Sequence, residues 1–338
     1  MALAANNTSG VSAMVPVTSR NVTFSSGSAA ITVPNGAVAF SDPVVDFSVA
    51  AGDVLAVSIY LAAGQTTNSI TGHPGSRTTS FFAAGNQVAA PDLTDTGVQK
   101  ADHWYYLSTV GGWLPDAAGS VHIIGDSISD GRGSTHNQND RWPDALQARL
   151  LRGPGPTALL AVINAAAGGN RLLADGLGPN VLARLERDVL AHPSARFALV
   201  FEGVNDIGTA ATTAAAQTDV GVRIVAAYEQ LITRLHAARL PVFGATITPM
   251  CGPGQSYSDA ERERTRQRVN AWIRSSGRFD AVVDFDAVVR DPANATQLAP
   301  EFNTGDFLHL SPAGYRAMAA AVDLTLFEKF RGGVDKMT

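Results

Sequence analysis

The sequence predicts two domains of different class, an all-β domain followed by an α/β domain with a parallel sheet. Residues 1–117 contain short apolar runs separated by turn-forming residues. From Val121 onward, short apolar runs alternate with longer segments of 3.6-residue periodicity, which is typical of a parallel sheet covered by helices. The 338 residues suffice for two domains. We therefore expect a β-rich accessory domain over residues 1–117 and a second domain over residues 118–338.

The first domain is predicted as a small antiparallel β-sandwich. Its apolar runs alternate with polar residues, and turn signals rich in Pro, Asn, Asp and Gly separate them at sandwich spacing. The clearest runs are residues 21–24, 30–33, 44–49 and 54–61. Residues 103–107 are the expected last strand, and Pro, Asp, Gly and Ser accumulate after it, at residues 115–120.

The second domain is predicted to have five buried strands with helices between them. The expected strands are residues 121–124, 159–163, 197–201, 242–246 and 281–285, and the expected helices are residues 142–151, 181–190, 220–235, 259–274 and 312–327. The pattern Ser258-x-x-Glu261 predicts a capping box at the start of the fourth helix. Ser311 followed by Pro312 predicts the start of the last one.

Composition and charge exclude several classes of function. The net charge of −5 gives no positive field, so we expect no nucleic-acid partner. No apolar window is long enough for a membrane span, and the first residues lack the basic and apolar regions of an export signal. The single cysteine, Cys251, excludes an intramolecular disulfide and a cysteine-rich zinc site. Since closely spaced histidines with a third ligand are also lacking, we expect neither a metal nor another cofactor.

Polar residues follow the predicted strands where a catalytic site would lie. In an open parallel sheet, ligands bind beyond the carboxyl ends of the strands, so residues at those ends can converge on one edge. The first strand is followed by Gly125-Asp126-Ser127, the second by Gly168-Gly169-Asn170, the third by Asn205, and the last helix is preceded by Asp306 and His309.

These residue types fit nucleophilic catalysis by a serine. Ser127 is the candidate nucleophile at the end of a buried strand. His309 can take its proton as general base, because an unperturbed histidine has a pKa of about 6.5. Asp306 can accept a hydrogen bond from the other ring nitrogen and hold the tautomer. We expect Asp126 to support Ser127 through hydrogen bonds.

Three hydrogen-bond donors are available for an oxyanion hole. They are the backbone N–H of Ser127, the backbone N–H of Gly169 and the side-chain amide of Asn205. Either Gly168 or Gly169 could supply the glycine donor. Gly169 is favoured because it directly precedes Asn170.

Four segments together resemble the sequence blocks of the SGNH (GDSL-type) hydrolases. They are IGDSISDG at residues 124–131, GGNRLL at 168–173, EGVNDI at 202–207 and DFLH at 306–309. The family consists of serine esterases and lipases with a flavodoxin-like α/β/α sandwich, so the resemblance implies this fold and the same roles for Ser127, Asp306, His309, Gly169 and Asn205.

The β-rich region is similar to a jelly-roll-like accessory domain found in a secreted microbial subgroup of this family. The resemblance implies an extracellular location. Relative to that subgroup, we expect the β-domain of this chain to be truncated at its N-terminus.

The expected activity is hydrolysis of small acyl esters through an acyl-serine intermediate, with O-acetyl groups of carbohydrates as an example. A lipase or thioesterase for longer acyl chains would differ only in the acyl pocket. A non-catalytic carbohydrate-binding protein is a further alternative, supported by the β-rich region and by Trp104 and Trp113.

Overall fold

The computed structural model describes residues 1–65, 67–68, 70–153 and 155–335. The chain divides into two compact units, Met1–Ser108 and Thr109–Thr338, the last three residues of which lie outside the described part. The boundary expected from the sequence was between residues 117 and 118.

The first unit contains six short strands among its described residues. They are β1 (Ala2–Leu3), β2 (Leu55–Ala56), β3 (Gly72–His73), β4 (Ser80–Phe82), β5 (Gln99–Ala101) and β6 (Trp104–Tyr105). These strands pair antiparallel as β1 with β2, β3 with β6 and β4 with β5, which gives three separate two-stranded sheets. Single 3₁₀ turns lie at Ala5–Asn7 and Pro16–Thr18.

The three two-stranded sheets show that the prediction of a β-sandwich is wrong. A sandwich buries alternate side chains between two facing sheets. In the described part of this unit, the buried apolar side chains are those of Ala2, Ala4 and Met14, whereas Phe40 is 77% exposed. Of the four alternating runs, only residues 54–61 contain a strand. Strand formation depends on a neighbour that covers the apolar face, and the sequence pattern does not supply that neighbour.

The second unit is built on one parallel sheet of five strands. They are β7 (Gly119–Gly125), β8 (Leu160–Asn164), β9 (Ala195–Phe201), β10 (Val242–Ala245) and β11 (Ala281–Val283). Their order across the sheet is β8-β7-β9-β10-β11, the flavodoxin-like order in which the second strand along the chain lies outside the first. All residues of β7 are buried, which indicates that both faces of the sheet are covered. The prediction of a five-stranded parallel sheet is confirmed.

Helices connect these strands and cover both faces of the sheet. They are α1 (Ser127–Asp130), α2 (Trp142–Arg152), α3 (Val181–Leu185), α4 (Val204–Thr209), α5 (Ala214–Ala237), α6 (Ala260–Ser275), α7 (Phe285–Val289), α8 (Pro312–Ala321) and α9 (Thr325–Lys329). A π-helical turn, Glu186–Leu190, continues α3, and a 3₁₀ turn lies at Gly155–Leu159. Helices α2, α7 and α8 pack together, as do α5 and α6. No helix in the described ranges is both long enough and apolar enough to cross a membrane.

The helix starts agree with the sequence at one position and differ at another. Ser311 caps α8, with its side chain accepting from the N–H of Gly314, as predicted. Helix α6 is capped by Asp259 instead of Ser258, and the Asp259 carboxylate accepts from the N–H groups of Glu261 and Arg262. An anionic cap also interacts favourably with the helix dipole, which explains the shift by one residue.

A buried histidine in β7 makes the stability of this unit depend on pH. His122 is fully buried, and its ring lies 3.0 Å from the carbonyl oxygen of Asp188 and 3.0 Å from Oγ of Ser120. Burial and the nearby His192 lower the pKa of His122 to about 4. The unfolded chain, with a histidine pKa of about 6.5, takes up this proton first, so folding stability falls as the pH drops between these two values.

We expect the low pKa of His122 to decrease the free energy of unfolding by about 2 kcal/mol when the pH falls from about 7 to about 4.5. Urea unfolding of wild type and His122→Gln at both pH values measures the effect. The variant should lose less stability on acidification than wild type. Equal losses in the two proteins would show that His122 does not carry it.

Candidate active site

Three side chains from distant parts of the chain form a line of hydrogen bonds beyond the carboxyl end of β7. Oγ of Ser127 lies 2.9 Å from Nε2 of His309, and Nδ1 of His309 lies 2.5 Å from Oδ2 of Asp306. His309 is 4% exposed, and Ser127 is half-buried. The arrangement is that of a nucleophile, a base and a carboxylate that orients the base.

Ser127 is presented by an abrupt change from strand to helix. The chain leaves β7 at Gly125, and Asp126 caps α1 by accepting a hydrogen bond of 2.9 Å from the N–H of Ile128. A Cβ atom at Gly125 would lie 2.4 Å from Oγ of Ser129, so only glycine allows the helix to begin this close to the strand. Ser127 therefore occupies the first helical position, with its N–H at the helix N-terminus.

A tight loop before α8 positions the other two members. Oδ1 of Asp306 accepts from the N–H of Leu308 at 3.0 Å and from the N–H of His309 at 2.8 Å. Between Asp306 and Leu308, Phe307 adopts a left-handed backbone with φ of 59°. Partial burial raises the pKa of Asp306, but hydrogen bonds from the His309 ring and backbone outweigh it and hold the pKa well below its ordinary value. Asp306 is therefore ionised at neutral pH and accepts from Nδ1–H of His309.

Two backbone N–H groups are available as oxyanion donors. Those of Ser127 and Gly169 have no protein acceptor within the ranges that the structure describes. The segment that carries Gly169 is tied to the end of β7, because the N–H of Ala167 donates to the carbonyl of Gly125 at 3.0 Å. Gly169 has φ of +71°, a conformation that favours glycine.

Asn205 brings a side-chain amide to the same edge of the sheet. It lies in the first turn of α4, is 5% exposed, and donates from Nδ2 to the carbonyl of Asn170 at 2.9 Å. The neighbouring Asp206 accepts from the N–H groups of Leu172 and Leu173 at 2.9 and 3.0 Å. These bonds hold the first turn of α4 against the segment that follows β8.

Two carboxyl groups directly after strands β7 and β9, those of Asp126 and Glu202, are buried. Burial, together with the nearby Asp206 and Asp130, raises the pKa of Asp126 to about 7, although its bond from Ile128 acts in the opposite direction. Burial and the charge of Asp126 raise the pKa of Glu202 well above its usual range, and Arg184, 4.0 Å away, compensates only in part. The raised pKa of each group reflects the cost of burying its negative charge.

The structure brings together the residues that the sequence singled out. Ser127, Asp306 and His309 are joined directly, and Asn205 is joined to the Gly169 segment through Asn170. Asp126 supports the serine segment as the helix cap. The catalytic roles of all these residues stay predictions.

Two residues beside the site escaped the sequence reasoning, namely Gln255 and Tyr257. Both lie in the loop after β10, where Nε2 of Gln255 donates to the carbonyl of Asp306 at 2.5 Å and the Tyr257 hydroxyl donates to Oδ1 of Asn205 at 3.0 Å. This loop is also at the carboxyl end of a strand, so inspection of the fourth strand end would have found it.

The two adjacent glycines should differ in their tolerance of a side chain. A Cβ atom at Gly168 would lie 3.4 Å from a carboxylate oxygen of Asp130, an ordinary contact, whereas one at Gly169 would lie 2.7 Å from Leu177. Alanine at Gly169 also strains a left-handed backbone. We expect Gly169→Ala to lower kcat by about tenfold or more and Gly168→Ala to lower it by about threefold at most. Esterase assays of both variants check this, and a larger loss at Gly168 would move the predicted donor to that residue.

One comparison with known proteins identifies a family for the second unit. A family model described as the GDSL-like Lipase/Acylhydrolase family matches residues 123–317. No curated protein matches the chain.

Several solved structures match part of the chain. A carbohydrate acetylesterase family member from Sinorhizobium meliloti is 19% identical, with 62% of this chain and 98% of that chain covered and a TM-score of 0.47. The lipase/acylhydrolase from Enterococcus faecalis is 21% identical, with coverage of 63% and 96% and a TM-score of 0.45. A GDSL-like lipase from Bacteroides thetaiotaomicron is 17% identical, with coverage of 65% and 92% and a TM-score of 0.45.

Proposed function

Because the chain belongs to the GDSL-like lipase/acylhydrolase family and is therefore an ester hydrolase, we propose that it cleaves esters of short acyl groups, with O-acetylated carbohydrates as substrates. The reaction proceeds through an acyl group on Ser127. The observation that carries this proposal is the line of hydrogen bonds from Ser127 through His309 to Asp306, at 2.9 and 2.5 Å.

Acylation begins when Oγ of Ser127 attacks the ester carbonyl carbon while Nε2 of His309 takes the serine proton. The carbonyl electron pair moves to oxygen, and the N–H groups of Ser127 and Gly169 and the amide of Asn205 stabilise the oxyanion. Collapse of this intermediate breaks the bond to the alcohol oxygen, which receives the proton from His309. The alcohol leaves, and the acyl group stays on Ser127.

Deacylation repeats these steps with water. His309 takes a proton from water as its oxygen attacks the acyl carbon, and it then returns the proton to Oγ of Ser127 as the acid leaves. Asp306 holds the ring so that Nδ1–H donates to its carboxylate and Nε2 keeps its lone pair towards Ser127. Its low pKa keeps this carboxylate ionised through both halves of the reaction.

The groups that flank the triad support the proposal that the substrate has a small acyl group and a polar alcohol. Gln255 and Thr304 contact Asp306, and Tyr257 contacts Asn205, so amide and hydroxyl groups lie beside two of the site residues. Such groups can hydrogen-bond to sugar hydroxyls. A long acyl chain would gain about 0.8 kcal/mol per CH₂ group only against an apolar wall. Leu177, which is 84% exposed, is the large apolar side chain that lies against Gly169.

An acyl-length series tests the substrate class. We expect kcat/KM to be highest for p-nitrophenyl acetate and to fall for the butyrate and octanoate esters, and acetate to be released from an acetylated oligosaccharide. Ser127→Ala is the control for spontaneous hydrolysis. A kcat/KM that rises towards octanoate would favour the lipase or thioesterase alternative instead.

A further inference from the structure

We propose that Tyr257 is a positioning residue, whose hydroxyl orients the side-chain amide of Asn205 so that one N–H faces the oxyanion. The inference rests on the proposed function, in which Asn205 is an oxyanion donor.

Two neighbours hold opposite ends of the Asn205 amide. Nδ2 lies 2.9 Å from the carbonyl oxygen of Asn170, and Oδ1 lies 3.0 Å from the hydroxyl of Tyr257. A carbonyl oxygen only accepts hydrogen bonds, so the nitrogen must face Asn170. The amide oxygen also only accepts, so the tyrosine hydroxyl donates. One N–H of Asn205 is used by Asn170, and the second is left for the substrate.

The hydrogen bond from Tyr257 restricts and polarises the Asn205 amide in a way that the bond to Asn170 alone does not. The terminal torsion of an asparagine side chain has a broad energy well, so a single hydrogen bond leaves the amide plane free to rock. A second bond at the other end restricts that plane. Donation to Oδ1 also polarises the amide and strengthens its N–H groups as donors. Both effects act on the oxyanion and therefore on the transition state more than on substrate binding.

Tyr257 is itself held in place from two sides. Its ring lies flat against α4 at Gly208, where a Cβ atom would come within 2.3 Å of the ring. Its backbone N–H donates to Oε1 of Gln255 at 3.1 Å, and Nε2 of Gln255 donates to the carbonyl of Asp306. One loop thus contacts both the third member of the triad and the oxyanion amide. Burial, followed by the nearby Asp126, raises the pKa of the Tyr257 hydroxyl, which therefore keeps the proton that it donates.

A double-mutant cycle separates positioning from mere packing. Tyr257→Phe keeps the ring and removes only the hydroxyl, and we expect kcat for p-nitrophenyl acetate to fall by about five- to tenfold with KM changed by less than about twofold. Asn205→Ala should lower kcat by about 10² to 10³. In the Asn205→Ala background, Tyr257→Phe should cause no further loss, because the group on which it acts is gone. Tyr60→Phe, at an exposed tyrosine of the first unit, is the matched control.

Gly208→Ala provides a second route to the same readout. It leaves the hydroxyl in the sequence but displaces the ring from α4, so kcat should again fall, and thermal unfolding checks that the variant is folded. Wild-type kcat in both Tyr257→Phe and Gly208→Ala, with a large loss in Asn205→Ala, would overturn this inference alone. Losses that multiply in the double variant would also overturn it. Wild-type kcat in Asn205→Ala would overturn the proposed role of Asn205 together with it.

Discussion

We expect Ser127→Ala to lower kcat/KM for p-nitrophenyl acetate by about 10⁴-fold or more. The substitution removes the hydroxyl oxygen that lies 2.9 Å from Nε2 of His309, and with it the atom that would carry the acyl group. The remaining rate would come from water attack on an ester held by the oxyanion donors. Steady-state kinetics measures the loss.

The matched control for this variant is Ser275→Ala. Ser275 is an exposed serine at the end of α6, where its hydroxyl donates to the carbonyl of Ala271. It should retain wild-type kinetics, and thermal unfolding should show that both variants are folded. A folded Ser127→Ala protein with activity within tenfold of wild type would exclude Ser127 as the nucleophile.

We expect Asp306→Asn to lower kcat by about 10⁴-fold, the scale found when a triad carboxylate is replaced by an amide. The asparagine amide can donate to Nδ1 of His309, which moves the ring proton to Nε2. The ring would then present a donor to Ser127, and it could not take the serine proton. The geometry would otherwise be preserved, because the side-chain oxygen can still accept from the N–H groups of Leu308 and His309.

Asp323→Asn is the control for this change. Asp323 is an exposed carboxylate that accepts from the N–H of Thr325 before α9, so the same substitution there alters charge and a backbone contact outside the triad. Its kcat should be that of wild type. If Asp306→Asn kept wild-type kcat as well, the carboxylate would have no part in setting the histidine tautomer.

The sequence predicted the second unit well because its central strands are buried on both faces. A strand such as β7, with every residue buried, leaves a mainly apolar run that ends where the polar loop begins. The rule that ligands bind at the carboxyl ends of such strands then led directly to Ser127, Gly169 and Asn205. His309 and Asp306 were found from a different signal, since they precede a helix with a strong start signal at Ser311.

The first unit could not be predicted in the same way. Alternating runs indicate that one face of a strand is apolar and suited to burial, but they do not show which element covers that face. The run at residues 44–49 contains no strand, and Val45 there is 72% exposed. The predicted sandwich therefore rested on a local pattern, whereas the sheets of this unit are two-stranded.

The hydrogen bonds that support the site could not be predicted from a local sequence pattern either. Tyr257 and Asn205 are 52 positions apart, and Gln255 and Asp306 are 51 apart, so neither hydrogen bond has a signal in sequence spacing. Glu202 reads as an ordinary acidic residue at the end of β9. Its burial follows only from the way that helices cover the sheet.

Covalent labelling of the nucleophile tests the central claim most directly. A fluorophosphonate reacts with an activated serine, whose oxygen attacks phosphorus and displaces fluoride. We expect one adduct per chain by intact mass, located on Ser127 by peptide mapping, with loss of esterase activity in proportion to labelling and no adduct in Ser127→Ala. An active enzyme that is not labelled, or one labelled equally in Ser127→Ala, would contradict it.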